Sequence, residues 1–447
     1  MDSLPVELLH NIFEPVCSPP GPLLDELPAE DAARLLAAPC TLAAVCRSWR
    51  DVCMRIPQIW SFIYLDMNST AAHLPYIRRQ LKRSAGMSID FVLTAVDVMV
   101  FHDHLRLLGK HARQWRRVTI RFTSEIPRDV CTIFQQRMPR LEQLRLLSHA
   151  GIQSGLLDRS WYPESPKKYL EMSSHLNHLE SHIMVIVPST QWRSLRFLNY
   201  NLRYIVEDSL WLTLAHTPAL EELNVFLPQW MTAPVNSQPL TTTLDLPKLQ
   251  RLGVFGFLGV YLGSSSWPEL LRAPRLETLT VSLESCNHLG ALFRAPAIRQ
   301  QIRHLTLTTI EKQSGGFLNR PDADAMGEFR QLETLELRGL RRGVLKDYDQ
   351  TFFSYLAGED GAPAPVWANR LKRLILRDCR FHLTACTSLG HYIHSRLAAA
   401  QNSDGPAFDF DFGETQFSVE NNQGTQADQS HDKEEVFAAY TVQRFDY

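Results

Sequence analysis

The 447-residue sequence contains no apolar stretch that approaches the roughly 20 residues needed to cross a bilayer. It also lacks a secretory start, because Met1 and Asp2 lead into a charged amphipathic segment and not into a basic start with an apolar run. Its eight cysteines are scattered along the chain, which is typical of a protein in a reducing compartment. We therefore expect no association with a membrane and a location in the cytoplasm or the nucleus.

Motifs for common enzyme chemistry are also missing, since the sequence contains no CxxC, HExxH, GxGxxG or GxxxxGK[ST]. Cys379, Cys386, His391 and His394 are the best metal candidates, but two cysteines seven residues apart match no familiar zinc spacing. The His102–Asp103–His104 triplet has no nucleophile that the sequence places beside it. We expect no catalytic residue, no cofactor and no metal; a hydrolase or transferase on a repeat fold is the less favoured alternative.

Charge is spread unevenly, although the net charge is only -2. Residues 404–447 hold ten acidic residues against Lys433 and Arg444, and the rest of the chain carries +6. A charge of +6 over about 400 residues is too weak to indicate nucleic acid, so we expect no nucleic-acid partner. We interpret residues 401–447 as an acidic, mobile tail, in which Phe408, Phe410 and Phe412 could instead add an edge strand.

Residues 1–60 predict three short helices. Leu4, Leu8 and Ile12 recur four apart, which is a helical spacing. The proline-rich stretch SPPGPLLDELP should end this helix; a second helix is expected over 29–37, ended by Pro39, and a third over 41–54. Three short helices make a thin core, so some apolar side chains must pack on another surface, either the rest of the chain or a partner.

The sequence LPxELLxxIF, followed by the proline-rich gap, LAAVCRSWRDVC and IPQIW, resembles the F-box of large fungal F-box families over about 60 residues. In that family the first and third helices bind a Skp-type adaptor, which links to a cullin–RING ubiquitin ligase. The segment 18–39 is longer than in the shortest F-boxes, which leaves the path of the second helix open. The adaptor-binding residues that the resemblance implies are Leu4, Pro5, Leu8, Ile12, Phe13, Val45, Cys46 and Trp49.

One pattern, L-x-x-L-x-L, recurs after this segment. Copies begin at positions 141, 195, 220, 249, 276, 302, 332 and 371, with a looser copy at 115; from Leu195 the starts are 25, 29, 27, 26, 30 and 39 residues apart. Near-regular repetition of this size predicts a solenoid. The array resembles the leucine-rich-repeat family over about 110–385. It departs from the strict form, because Cys379 alone fills the expected Asn or Cys site.

The repeat predicts an α/β fold: a three-helix F-box followed by an irregular leucine-rich-repeat-like solenoid with a parallel sheet on the concave face. We predict an F-box at 1–60, the solenoid at 61–400 with an insertion at about 148–175, and the tail at 401–447. Two further strands around a helix at 72–84 are indicated by IWSFIYLDM and MSIDFVL. Helices are expected at 206–216, 267–272 and 348–356. Two stacked, unrelated α/β domains remain the alternative.

In each strand the residues between the apolar positions should point away from the core, and exposed apolar residues among them often mark a binding site. The predicted target-binding residues are Phe197, Asn199, Phe226, Phe255, Arg121 and Arg145. The alternative is that the insertion or the acidic tail covers these rings. The resemblance implies a non-enzymatic substrate-recognition subunit of a Skp–cullin–F-box ubiquitin ligase that binds a protein target; a repeat scaffold that does not promote ubiquitylation is the alternative.

Overall fold

The structure is a computed structural model of the whole chain. It describes residues 4–19, 21, 28–66, 69–95, 97–122, 133, 136–148, 173–181, 189–201, 214–227, 243–256, 270–282, 292–293, 295–308, 326–327, 329–339, 348–358, 365–402, 408–413 and 416–418. The chain divides into two compact units, Met1–Leu223 and Asn224–Tyr447. Both combine helices with parallel strands, as expected from the alternation of apolar residues.

The first unit begins with three helices, α1 (Val6–Cys17), α2 (Ala29–Val45) and α3 (Arg47–Arg55). The predicted break at Pro39 is wrong, because Pro39 lies inside α2 with its side chain buried. The chain breaks instead at Cys46, whose backbone is extended at φ -158° and ψ 174°. The Cys46 sulfur accepts the N–H of Trp49 at 3.4 Å and so caps α3. Leu42 and Trp49, predicted on one helix, therefore belong to two.

The core of these helices combines one side of α1 with α3 and the turn that follows it. Leu9, Phe13 and Cys17 are spaced four apart and buried, and Phe13 meets Trp49 edge to face with ring centroids 5.0 Å apart. Trp60 is buried as well, and its indole N–H donates to the carbonyl of Cys53 at 2.9 Å. Each fully buried large apolar side chain contributes about 1.5–3 kcal/mol, so a few such residues hold a small module together.

The rest of the first unit is a parallel sheet in chain order, with helices between its early strands. Its elements are β1 (Phe62–Leu65), α4 (Leu74–Arg83), β2 (Ile89–Ala95), α5 (Val98–Gly109), β3 (Trp115–Phe122), β4 (Gln143–Ser148), β5 (His178–Ser181) and β6 (Phe197–Asn201). This confirms the predicted pair of strands around a helix near 72–84. Strand β5 was not predicted. The next strand, β7 (Glu222–Leu227), begins in this unit and ends in the second.

The second unit continues the same alternation of strand and connection. Its elements are β8 (Leu244–Asp245), β9 (Arg251–Gly256), β10 (Leu271–Arg272), β11 (Thr278–Ser282), α6 (Pro296–Gln301), β12 (His304–Thr308), β13 (Thr334–Arg338), α7 (Tyr348–Ala357), β14 (Arg373–Arg377), β15 (Arg380–His382), α8 (Leu383–Asn402), β16 (Asp409–Asp411) and β17 (Gln416–Ser418). Strands β9, β11, β12, β13, β14 and β16 form a parallel sheet in that order, and β8 pairs with β10 and β15 with β17, again in parallel.

The register explains why the leucine pattern produces this sheet. Leu279 of β11 lies opposite Leu252 of β9 and Leu305 of β12, and Leu335 and Leu374 continue the row across β13 and β14. All five side chains are buried. Because successive residues of a strand point to opposite faces, the residues between the leucines line the other face.

Three sequence predictions about this unit have different outcomes. The helix over 348–356 is confirmed by α7. The helix over 267–272 is wrong, because buried Leu271 pairs in register with Leu244 as a short strand; residues 257–269 lie outside the described residues. The tail contains structure, since β16 extends the sheet beside β14 and Phe408 is buried against Tyr392. Residues 419–447, 202–213 and 149–172 lie outside the described part of the chain.

Within the described residues, no helix combines the length and the apolar character that a bilayer crossing requires.

Candidate functional site

Helix α1 is apolar on two sides, and only one of them is used by the core. Leu9, Phe13 and Cys17 point inward, whereas about half the surface of each apolar side chain on the other side remains exposed. The exposed residues of this side are Leu8, Ile12 and Val16, which are spaced four apart, and Leu4 continues the spacing just before the helix. Exposed apolar patches of this kind are typical of protein interaction sites. We call these four residues the α1 face; Val45, at the end of α2, is exposed as well.

The structure places the predicted adaptor-binding residues unevenly. Leu4, Leu8 and Ile12 lie on the α1 face, Val45 is exposed at the end of α2, and Pro5 and Cys46 are exposed at the helix starts. Trp49 is half-buried. Phe13 is 0% exposed, so the structure assigns this side chain to the core, and we leave it out of the proposed surface. Val16 also belongs to the α1 face but was not among the predicted residues. Its position four residues after Ile12 would have indicated it.

Helix α2 covers the start of the sheet on the face away from the leucine core. Its Leu35 packs against Phe62, Tyr64 and Val92, which alternate with the core residues of β1 and β2. The hydroxyl of Tyr76 in α4 donates to the carbonyl of Leu36 at 3.1 Å. The surface that the leucine pattern predicts to be open is therefore occupied by the helical module over β1 and β2.

A buried carboxylate lies beside this contact. The Asp90 side chain in β2 is 2% exposed and is held by two arginines of β3. Arg116 donates to it through Nε at 2.9 Å and Arg117 through Nε at 3.0 Å, and the Arg117 backbone N–H adds a bond at 3.2 Å. A buried carboxylate is costly unless it is paired and hydrogen-bonded, and these donors meet that requirement. Arg117 also donates through Nη1 to the carbonyl of Gly21 at 2.7 Å.

Three predicted target-binding residues come together on β4, β5 and β6. Arg145 is 14% exposed and pairs with Glu180, and the Asn199 amide donates to the other oxygen of Glu180 at 2.8 Å. The Phe197 ring stacks on His178 with centroids 4.1 Å apart. Glu180 lies opposite Asn199 and His178 opposite Phe197 in the register. The unpredicted strand β5 thus supplies the two residues that join this cluster.

Burial, together with the charge of Arg145, lowers the pKa of His178 to about 3. Because this pKa lies below the usual value near 6.5, the folded protein keeps the ring neutral while the unfolded chain takes up a proton. His178 therefore does not lower the free energy of unfolding above about pH 6.5. As the pH falls from there toward 3, the free energy of unfolding decreases. We expect the loss from this residue to reach up to about 2 kcal/mol at pH 5.

Replacing His178 by Gln should flatten this pH dependence, as measured by urea unfolding midpoints at pH 7.5 and pH 5. The matched control is His304→Gln, which changes an exposed histidine of β12. Equal pH dependence in wild type and His178→Gln would contradict the assignment.

The remaining aromatic pair belongs to the second unit. Phe226 of β7 and Phe255 of β9 are half-buried and stacked, with centroids 4.6 Å apart and an angle of 16°. Beside them a Cβ on Gly253 would lie 2.0 Å from Oδ1 of Asn224 and 2.7 Å from the Phe255 ring. A side chain at position 253 would therefore require Asn224 and the Phe255 ring to shift. Arg121, the last predicted target-binding residue, is half-buried on β3 of the first unit.

The metal candidates are not assembled in the part of the chain that the structure describes. Cys379 is buried, and its thiol donates to the carbonyl of Leu337 at 3.2 Å, whereas His391 and His394 are exposed on α8. The side chain of Cys386 lies outside the described residues. Among the described residues no group of three or more His, Cys, Asp or Glu is placed to hold a metal ion.

Comparison with known proteins bears on the helical module. A family model described as F-box-like matches residues 1–66, which span the three helices and end just after β1. No curated protein matches the chain. F-box domains bind Skp-type adaptors, and such a domain suggests an adaptor role in a ubiquitin ligase. The chain therefore carries an F-box-like domain at residues 1–66.

Proposed function

We propose that this protein is the substrate-recognition subunit of a Skp–cullin–F-box ubiquitin ligase. Its F-box-like domain would bind a Skp-type adaptor, and its strand-rich part would bind a protein target. The observation that carries the proposal is the α1 face, an exposed apolar surface on the first helix of a segment that matches the F-box-like family. A helix that buries one side and exposes another apolar side is suited to packing between its own core and a partner.

The adaptor would bury the α1 face. Each Å² of apolar surface removed from water contributes about 25 cal/mol. A few central apolar residues commonly carry most of the binding energy. Leu8 and Ile12 lie one helical turn apart and are 49% and 46% exposed, so both have surface left to bury. We propose them as the central contacts, with Leu4 and Val45 beside them.

We also propose that the strand-rich part is a leucine-rich-repeat-like solenoid. Parallel strands lie where the L-x-x-L-x-L copies predict them, with the leucines in register. Stacked repeats of this kind bury the leucine side chains on one face of the sheet and leave the alternating side chains on the other face. The proposed target contacts are residues of that other face: Phe226, Phe255, Arg145, Phe197, Asn199 and Arg121.

The proposed role needs no bond chemistry by this chain. Holding a target beside a ligase raises the local concentration of that target for ubiquitin transfer. We place the protein in the cytoplasm or the nucleus, where cysteines stay reduced. A non-enzymatic repeat scaffold that binds a protein partner, with or without the Skp-type adaptor, and does not promote ubiquitylation is the second candidate function.

Affinity purification of the tagged full-length chain separates the two candidates. With the ligase inhibited, the proposed function predicts that a Skp-type adaptor, a cullin and a protein target all co-purify. Targets should also accumulate in cells when the ligase is inhibited. An adaptor without a cullin, or a target whose level is unaffected, would favour the scaffold, and the absence of any Skp-type adaptor would refute the proposed function.

Replacing Phe226 and Phe255 together by Ser should weaken capture of the target at least about tenfold, because aromatic anchors commonly contribute more than 1.4 kcal/mol each to an interface. Capture is measured by the yield of co-purified target from the inhibited cells. The Leu8→Asp, Ile12→Asp variant is the reciprocal control, since it should lose the adaptor and keep the target. Full target capture by a folded Phe226→Ser, Phe255→Ser variant would refute this contact.

A further inference from the structure

Arg117 joins two parts of the first unit that are distant in sequence. From β3 it donates to the buried carboxylate of Asp90 in β2 and, through Nη1, to the carbonyl of Gly21, 96 residues away. Gly21 lies in the proline-rich connection between α1 and α2, and its φ of +82° is one that glycine adopts without strain. The Asp90 carboxylate holds the guanidinium in place, so Arg117 reaches Gly21 from a fixed base.

Other described contacts between the helical module and the rest of the first unit involve α2 and the turn after α3. Leu35 packs on the sheet, Tyr76 bonds the carbonyl of Leu36, and the Arg83 guanidinium lies 4.3 Å over the Trp60 ring. None of these three contacts involves the connection between α1 and α2, although Trp60 lies in the buried cluster with Leu9 and Phe13 of α1. Among the contacts described, the Arg117 bond to Gly21 is the link from the sheet to that connection.

We propose that Arg117 is a positioning residue for the α1 face. By tying Gly21 to Asp90 it would hold the start of the α1–α2 connection against β3, and thereby set the direction in which α1 presents Leu8 and Ile12. This inference rests on the proposed adaptor binding. A charged donor bound to a neutral carbonyl is among the stronger hydrogen bonds, and Arg makes several such bonds at once because its guanidinium is a rigid fork.

Arg116 provides a matched control on the same strand. It binds the same carboxylate, through Nε at 2.9 Å, but makes no contact with Gly21 among the described residues. Arg116→Ala and Arg117→Ala each remove one partner of Asp90. Only Arg117→Ala also removes the link to the connection. A purely structural role in neutralising Asp90 would affect both variants alike.

The experiment measures two quantities on the full-length chain: the affinity for a purified Skp-type adaptor, and hydrogen–deuterium exchange of peptides between residues 14 and 28 in the free protein. We expect Arg117→Ala to weaken adaptor binding about tenfold, equivalent to about 1.4 kcal/mol, and to speed exchange in those peptides. Arg116→Ala should leave exchange there and adaptor affinity near the wild-type values. Gly21→Ala, which disfavours the positive φ without touching Asp90, should shift both readouts in the same direction as Arg117→Ala.

Several outcomes would overturn the inference. One is wild-type adaptor affinity and wild-type exchange in Arg117→Ala, and another is equal loss in Arg116→Ala. If Arg117→Ala fails to fold, wild-type behaviour of Gly21→Ala decides against it. A wild-type chain that binds no Skp-type adaptor would refute the proposed function, whereas the exchange of residues 14–28 in the free chain would still report whether Arg117 holds the connection.

Discussion

Replacing Leu8 and Ile12 by Asp is expected to abolish binding of a Skp-type adaptor and to leave the chain folded. Both side chains are about half exposed, so the exchange removes little from the core. In a complex the two carboxylates would be buried without partners, which is strongly unfavourable. Loss of two central apolar anchors commonly costs at least about 2 kcal/mol each, so we expect affinity to fall at least about a thousandfold.

Adaptor binding is measured with purified proteins, and folding by circular dichroism and the melting temperature. Met99→Asp is the control, because Met99 is an apolar residue on another helix, α5, and is also exposed, at 70%. It should bind the adaptor like the wild type. Retained adaptor binding by a folded Leu8→Asp, Ile12→Asp variant would refute the assignment of the α1 face.

Replacing Phe13 by Ala is expected to destabilise the helical module strongly. Adaptor binding should then fall for a different reason than in the Leu8→Asp, Ile12→Asp variant. Phe13 is fully buried and packs edge to face on Trp49. Truncating a buried phenylalanine typically costs about 3–5 kcal/mol, because transfer energy is lost and a cavity remains. The helical module is small, so we expect it to become sensitive to protease at a temperature where the wild type resists, and adaptor binding to fall because fewer molecules are folded.

Excess adaptor separates this cause from a lost contact. A ligand that binds only the folded state stabilises it by mass action, so high adaptor concentrations should restore the fold and binding of Phe13→Ala but not binding of the Leu8→Asp, Ile12→Asp variant. Val16→Ala, on the exposed side of the same helix, is the control and should stay resistant to protease. A Phe13→Ala variant as stable as the wild type would contradict the placement of Phe13 in the core.

The strands were the most predictable part of the fold. A repeated L-x-x-L-x-L pattern indicates a strand wherever it occurs, because alternate apolar residues need a common core. Strand β5 escaped prediction because Ser181 stands where a third apolar residue is expected. Leu176, just before the strand, and Leu179 within it keep the usual spacing and were the signal that could have indicated it. Pro39 led to the opposite kind of error, a predicted helix end that the structure does not have. A proline can lie inside a helix whose packing compensates for one lost hydrogen bond.

The sequence by itself determined that α1 is an apolar helix, that parallel strands follow, and that no common catalytic motif is present. These are local properties, decided by residues a few positions apart. Only the tertiary structure decided that Phe13 points inward while Leu8 and Ile12 point outward, because a helix apolar on two sides is oriented by Trp49 and the rest of its core. The same holds for Arg117, Asp90 and Gly21: bonds between residues 27 and 96 positions apart depend on how the chain packs, which no local pattern contains.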